Sequence, residues 1–284
     1  MFRTLTPVRS AALFYGLALA MVTGLALAGA GTFAAATTPL IAVLLMLLLV
    51  TREGWRRSGW AGLGLHRLGA RTWPLAVLAP LIIIGAGGGL AAGTGVAQWA
   101  PSGQAGDFGP WLWPAIFAVN VLYAALTSAL FEEIGWRGYF VPRLAALGER
   151  RAMLISGFLH GVFHLPVAFL TGLYMTEGDR WVVVPLFLVS ATAFGVFAAW
   201  LRLRTGSVWP AVLAHAVHNV AIMWFGDLLQ GDEAAMEHLA GESGAVTLVL
   251  YVGLAAVLLR RAQGPAAASA MPRGGVPSVA GAVR

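Results

Sequence analysis

Residues 131–140 read FEEIGWRGYF, which sets Glu132, Glu133 and Arg137 inside an otherwise apolar run. Two later apolar runs carry His160 and His164 (SGFLHGVFHLP) and His215, His218 and Asn219 (SVWPAVLAHAVHNV). An ionisable side chain at the centre of a bilayer costs roughly 2.5–3.5 kcal/mol even on lenient scales. Glu133 with Arg137, His160 with His164, and His215 with Asn219 are each spaced i, i+4, so each helix would offer one polar stripe. Taken singly, these groups have structural readings: an ion pair, an interhelical hydrogen bond, packing between helices. Taken together, they form a carboxylate–histidine set suited to activating water. Glu132 would take the proton of water while Arg137 holds Glu133, and His164 would share that water or pass the proton to a leaving amine. His215 and Asn219 would point donors at a developing oxyanion. Other hydrolytic chemistries lack their residues. There is no HExxH zinc helix, no GxGD stretch for an aspartyl dyad, no cysteine, and no glycine-rich surround at Ser156 or Ser207.

The elements that must position these groups follow from composition. The 284 residues are 59% hydrophobic and 11% charged, with mean hydropathy +0.79. A soluble chain carries about 25% charged residues, so this is an all-α polytopic membrane protein. Apolar runs near 11–30, 33–50, 73–98, 111–134, 152–171, 181–201, 207–225 and 244–259 predict eight spans. All eighteen basic residues are arginine. With the N-terminus inside, every arginine except Arg137 and Arg180 falls in an inner segment, whereas Asp107, Glu177, Asp179, Asp227, Asp232, Glu233, Glu237 and Glu242 fall outside. That alternation predicts both termini in the cytoplasm, and it assigns the positive charge to orientation rather than to nucleic acid. At 1.5 Å per residue from the nearest inner arginine, Glu132 and Glu133 lie roughly 15–17 Å deep. His160 and His164 lie about 14–20 Å deep, and His215 and Asn219 about 17–22 Å. Three stripes therefore meet at one level.

The chain divides into N-terminal spans with a basic loop (1–109), a catalytic core (110–225), an outer loop with the last span (226–261), and a disordered tail (262–284). The loop at 51–72 is expected to lie along the inner interface as an amphipathic stretch.

The EExxxR at Glu132–Arg137, the GVFH ending at His164, and the HxxxN at His215–Asn219 resemble, in order, the motifs of the CPBP family. This group comprises CAAX prenyl endopeptidases and bacteriocin-processing proteins and is also called the Abi family. The resemblance covers residues 110–225. It implies an eight-helix intramembrane endopeptidase with a cavity open to the cytoplasm, in which Glu132 and His164 activate water, His215 and Asn219 form the oxyanion site, and Glu133 and Arg137 complete the catalytic set. Members have been described both as glutamic proteases and as metalloproteases. A zinc ion would take Glu132, His164 and His215 with an open position for water, but metal-free catalysis is the expectation here. His160 stands where the family usually has Phe, which adds a metal ligand or proton carrier. The expected partners are the bilayer of a bacterial cell membrane and a membrane-associated protein or peptide substrate. Two competing readings are a non-catalytic immunity or scaffold protein and a proton-coupled transporter. The intact motifs argue against the first, and the lack of matching halves against the second.

Overall fold

The computed structural model describes residues 5–172 and 179–262. The expected tail lies outside them after its first residue, as do Arg3, Glu177, Arg273 and Arg284. Among the described residues, eight helical stretches are long and apolar enough to cross a membrane. They are α1 (Pro7–Leu27), α2 (Thr32–Leu45, continued by a π turn at Met46–Val50), α3 (Trp73–Gly93), a compound fourth span, α6 (Glu149–Leu170), α7 (Arg180–Thr205), α8 (Trp209–Leu228), and a last pair, α9 (Glu233–Ala240) and α10 (Ala245–Arg261). The compound span contains α4 (Trp113–Leu126) and α5 (Ser128–Glu133). Trp-Pro pairs open α3, α4 and α8. Proline in a first turn sacrifices no helical hydrogen bond, and the tryptophan beside it suits the membrane interface.

The fourth span runs further than its apolar pattern. Helical backbone continues from Pro110 to Leu147, broken at Thr127 (φ −125°, ψ −107°) and relaxed into a π-helix at Ile134–Phe140. The charges at 132, 133 and 137 do not end the helix because they pair with one another and with histidines inside the protein. The loop at 51–72 folds as short turns at Glu53–Trp55, Arg57–Ala61 and Ala70–Thr72. Five glycines interrupt it, and Gly64 and Gly69 adopt positive φ, which breaks any helix. The loop tucks inward, burying Leu63 among Phe14, Trp136 and Tyr139.

Helices α1 and α2, whose sequences carry no motif, wall the π-helical stretch. A Cβ on Gly135 would stand 2.5 Å from Pro39 Cβ, so only glycine permits this approach. Helices α6 and α7 cross as closely at Gly157 and Gly195, where a Cβ on Gly195 would lie 2.3 Å from Gly157 Cα. Without a hydrophobic drive between helices in lipid, such small-residue contacts let backbones pack by dispersion. On the arginine-poor face, β1 (Ala97–Trp99) pairs antiparallel with β2 (Leu229–Gly231), tying the loop after α3 to the loop after α8.

Candidate active site

The π-helical stretch and the Gly157–Gly195 crossing bring the three stripes together. Arg137 and Glu133 are both fully buried, and Arg137 Nη1 donates to Glu133 Oε1 at 2.7 Å. A second guanidinium nitrogen, Nη2, lies 3.5 Å from the Gly195 carbonyl. From α7, Arg202 donates through Nε to the Arg137 carbonyl (2.9 Å) and through Nη2 to the Gly62 carbonyl (2.7 Å). Arg202 counts only as an orientation marker in the sequence; in the structure it pins the motif backbone.

Donor and acceptor rules fix how the histidines are protonated. Arginine only donates. His160 Nδ1, 3.3 Å from Arg137 Nη1, is therefore an acceptor without a proton. The proton of neutral His160 sits on Nε2, which donates to Glu132 Oε2 at 2.9 Å. Glu133, paired with a buried guanidinium, is a carboxylate and only accepts. His215 Nδ1, 3.0 Å from Glu133 Oε1, must then carry a proton. His164 Nδ1 donates to the His160 carbonyl at 2.9 Å, which leaves its Nε2 facing Glu132 Oε2, 4.0 Å away. The result is one connected array in which Arg137 joins Glu133 and His215 on one side to His160 and Glu132 on the other.

This array lines a cavity of about 290 Å³. Glu132, His160, His164, His215 and Asn219 supply its polar wall, and Phe163, Val167, Phe187, Phe194 and Ile222 its apolar wall. Asn219, one turn beyond His215, is exposed within it. Glu133 and Arg137 stand behind the wall, both fully buried. His218 also lines the cavity but stands apart from the array: its Nδ1 lies 2.9 Å from Tyr251 Oη, and its ring stacks on Phe194 with centroids 4.9 Å apart. Tyr251, on α10, gives no signal in the sequence.

Among the described residues, the trio that could hold a metal ion is Glu132, His160 and His164, whose ligand atoms lie within 4.8 Å of one another. The set expected from the sequence has His215 in place of His160, but His215 is drawn to Glu133 instead. The trio fits an ion by distance and not by protons. To coordinate, His160 would surrender the Nε2 proton and take one on Nδ1, where it would meet the N–H of Arg137 at 3.3 Å.

A family model for the Rce1-like type II CAAX prenyl endopeptidases matches residues 112–221, the segment that carries all three motifs. A CAAX prenyl protease 2 from Methanococcus maripaludis is 31% identical over 107 residues, 36% of this chain and 39% of that protein. The chain thus matches about two fifths of that relative's length. Motif order, the helices that carry it and both comparisons agree: residues 112–221 are similar to the type II CAAX prenyl endopeptidases.

Proposed function

We propose that this protein is an intramembrane endopeptidase that hydrolyses peptide bonds of membrane-associated proteins or peptides with water activated by Glu132. The observation that carries this reading is the Glu132–His164 pair. A carboxylate oxygen of Glu132 and the Nε2 of His164 stand 4.0 Å apart in a cavity, so one water can hydrogen-bond to both. Glu132 takes a proton from that water as its oxygen adds to the scissile carbonyl carbon. The developing oxyanion is met by the Asn219 amide and by His215 in its imidazolium form, which donates from Nε2 while Nδ1–H stays with Glu133. The proton then passes from Glu132, directly or through His164 Nε2, to the leaving nitrogen, and the C–N bond breaks to give an acid and an amine.

Within this scheme Glu133 and Arg137 are positioning residues: they orient His215 and, through His160, Glu132. The proton arrangement around His160 supports glutamic rather than zinc-dependent catalysis. The scheme is tested by comparing membranes of cells that express the wild-type chain or Glu132→Ala. New N-termini in membrane-associated proteins should appear with the wild type alone. Identical sets of termini in both would refute the activity.

A further inference from the structure

Four polar residues of the cavity wall take no part in activating water or meeting the oxyanion: Thr32, Ser190, His218 and Glu242. Two of them face each other. His218 sits on α8 three residues past His215, and its Nε2 lies 3.8 Å from Glu242 Oε1. Its Nδ1 lies 2.9 Å from the Tyr251 hydroxyl on α10. A carboxylate oxygen accepts, so the ring nitrogen beside it is the one placed to carry a proton. Nδ1 then accepts from the Tyr251 O–H, and Nε2–H is turned toward Glu242. At 3.8 Å that contact is too long for a hydrogen bond, so it does not consume the N–H.

Both groups are fixed in place. The His218 ring stacks on Phe194 and meets Tyr251 edge-on at 5.5 Å between centroids. Tyr251 is fully buried. Phe194 also packs edge-on against His215 at 5.8 Å, so one ring spaces the two histidines. Glu242 rides on the turn between α9 and α10, where Ser243 N donates to Glu237 Oε1 (3.2 Å) and Gly244 N to Gly241 O (3.0 Å). The wall thus sets a donor beside an acceptor. Three residues of helix rise about 4.5 Å, close to the ~3.4 Å that one residue of an extended chain spans. An extended polypeptide laid along α8 with its reacting carbonyl at His215 therefore brings the neighbouring peptide unit to His218.

A helical substrate has its carbonyls occupied by the helical ladder, so a segment must unwind before it is cut. Each N–H and C=O freed by unwinding needs a new partner inside the bilayer. We propose that His218 and Glu242 bind the substrate's extended main chain next to the scissile bond. His218 Nε2–H donates to a carbonyl, the Glu242 carboxylate accepts a peptide N–H, and Tyr251 is the positioning residue that aims His218. The ligand is polypeptide backbone, whatever side chains it carries. This inference rests on the endopeptidase reading and adds how that site holds its substrate.

The probe is a membrane protein whose new N-terminus appears with the wild-type chain and not with Glu132→Ala. Its cleavage is measured against its concentration with purified full-length variants in lipid vesicles, beside a melting curve for each. Glu242→Met and His218→Phe, the second of which keeps a ring on Phe194, should each raise KM roughly tenfold with kcat little changed. Tyr251→Phe should raise KM in the same direction by less. Glu242→Gln keeps an acceptor oxygen and should restore most of what Glu242→Met loses. A merely structural role predicts the opposite split, because fewer folded molecules lower the saturated rate and leave KM alone. Should His218→Phe fail to fold, Glu242→Met and Tyr251→Phe carry the same test. Unchanged KM in folded Glu242→Met and Tyr251→Phe overturns the inference. So does a Glu242→Gln as poor as Glu242→Met, since the carboxylate would then read a positive charge rather than a peptide N–H. Cleavage by the wild type with KM unmoved in the variants sinks this inference alone, whereas a wild type that cleaves nothing sinks the endopeptidase reading and this with it.

Discussion

His160 offers a perturbation whose outcome separates a hydrogen-bond relay from a metal ligand. Its Nδ1 accepts from Arg137 Nη1 and its Nε2 donates to Glu132 Oε2, at 3.3 and 2.9 Å. His160→Phe keeps a ring of similar size against Trp136, whose centroid lies 4.9 Å away, and removes both polar contacts. A hydrogen bond to a charged group contributes about 1.5–3 kcal/mol. If Glu132 is aimed by that bond throughout the reaction, its loss corresponds to roughly a 10- to 150-fold fall in kcat/KM. His160→Gln is the informative partner. An amide carries one acceptor oxygen and one donor nitrogen, so it can accept from Arg137 and donate to Glu132 as the neutral imidazole does. The assay is cleavage of an identified substrate by purified protein in lipid vesicles, beside a melting curve for each variant. The relay is expected to leave His160→Gln within a few-fold of wild type and His160→Phe far below it, both folded. If the two variants are equally inactive while folded, the ring itself is required, as for a ligand. If His160→Phe is fully active, the relay is irrelevant to catalysis.

Three further outcomes follow from the same contacts. Glu133→Gln leaves a fully buried guanidinium with a weakened partner, and breaking a buried ion pair costs about 3–5 kcal/mol, to be read as a lowered melting temperature. Glu133→Gln combined with Arg137→Gln should recover part of that stability but not activity, because His215 still loses its carboxylate; a double variant as unstable as the single one would contradict the pairing. Protein stripped of metal by a strong chelator should retain cleavage, and a stoichiometric zinc requirement would reverse the proposed chemistry. Arg202→Met should lower the melting temperature and loosen the loop at 62–69, seen as faster protease nicking there in inverted vesicles; unchanged nicking would contradict the pinning role.

The spans were legible because twenty apolar residues in sequence have few other fates. The polar stripes were legible because i, i+4 spacing fixes a shared face. What the sequence hid depends on contacts between distant segments. The break at Thr127 and the π-helix after Glu133 have no proline to announce them, and the close approach to Pro39 involves a helix without motifs. His215 could be placed at the right depth from its position, but not assigned to Glu133 rather than Glu132, since that choice depends on how α8 rotates against α5.

The central claim is that Glu132 takes the proton of water. Its most direct measurement is cleavage by Glu132→Gln in vesicles, with the melting temperature recorded on the same preparation. The amide nearly matches the carboxylate in shape and still accepts the His160 bond at Oε, but it cannot accept a proton from water. General-base contributions are about 10²–10⁴-fold, so the rate should fall by at least a hundredfold with the melting temperature unchanged. A folded Glu132→Gln protein that cleaves at the wild-type rate would contradict the claim and move the base elsewhere in the array.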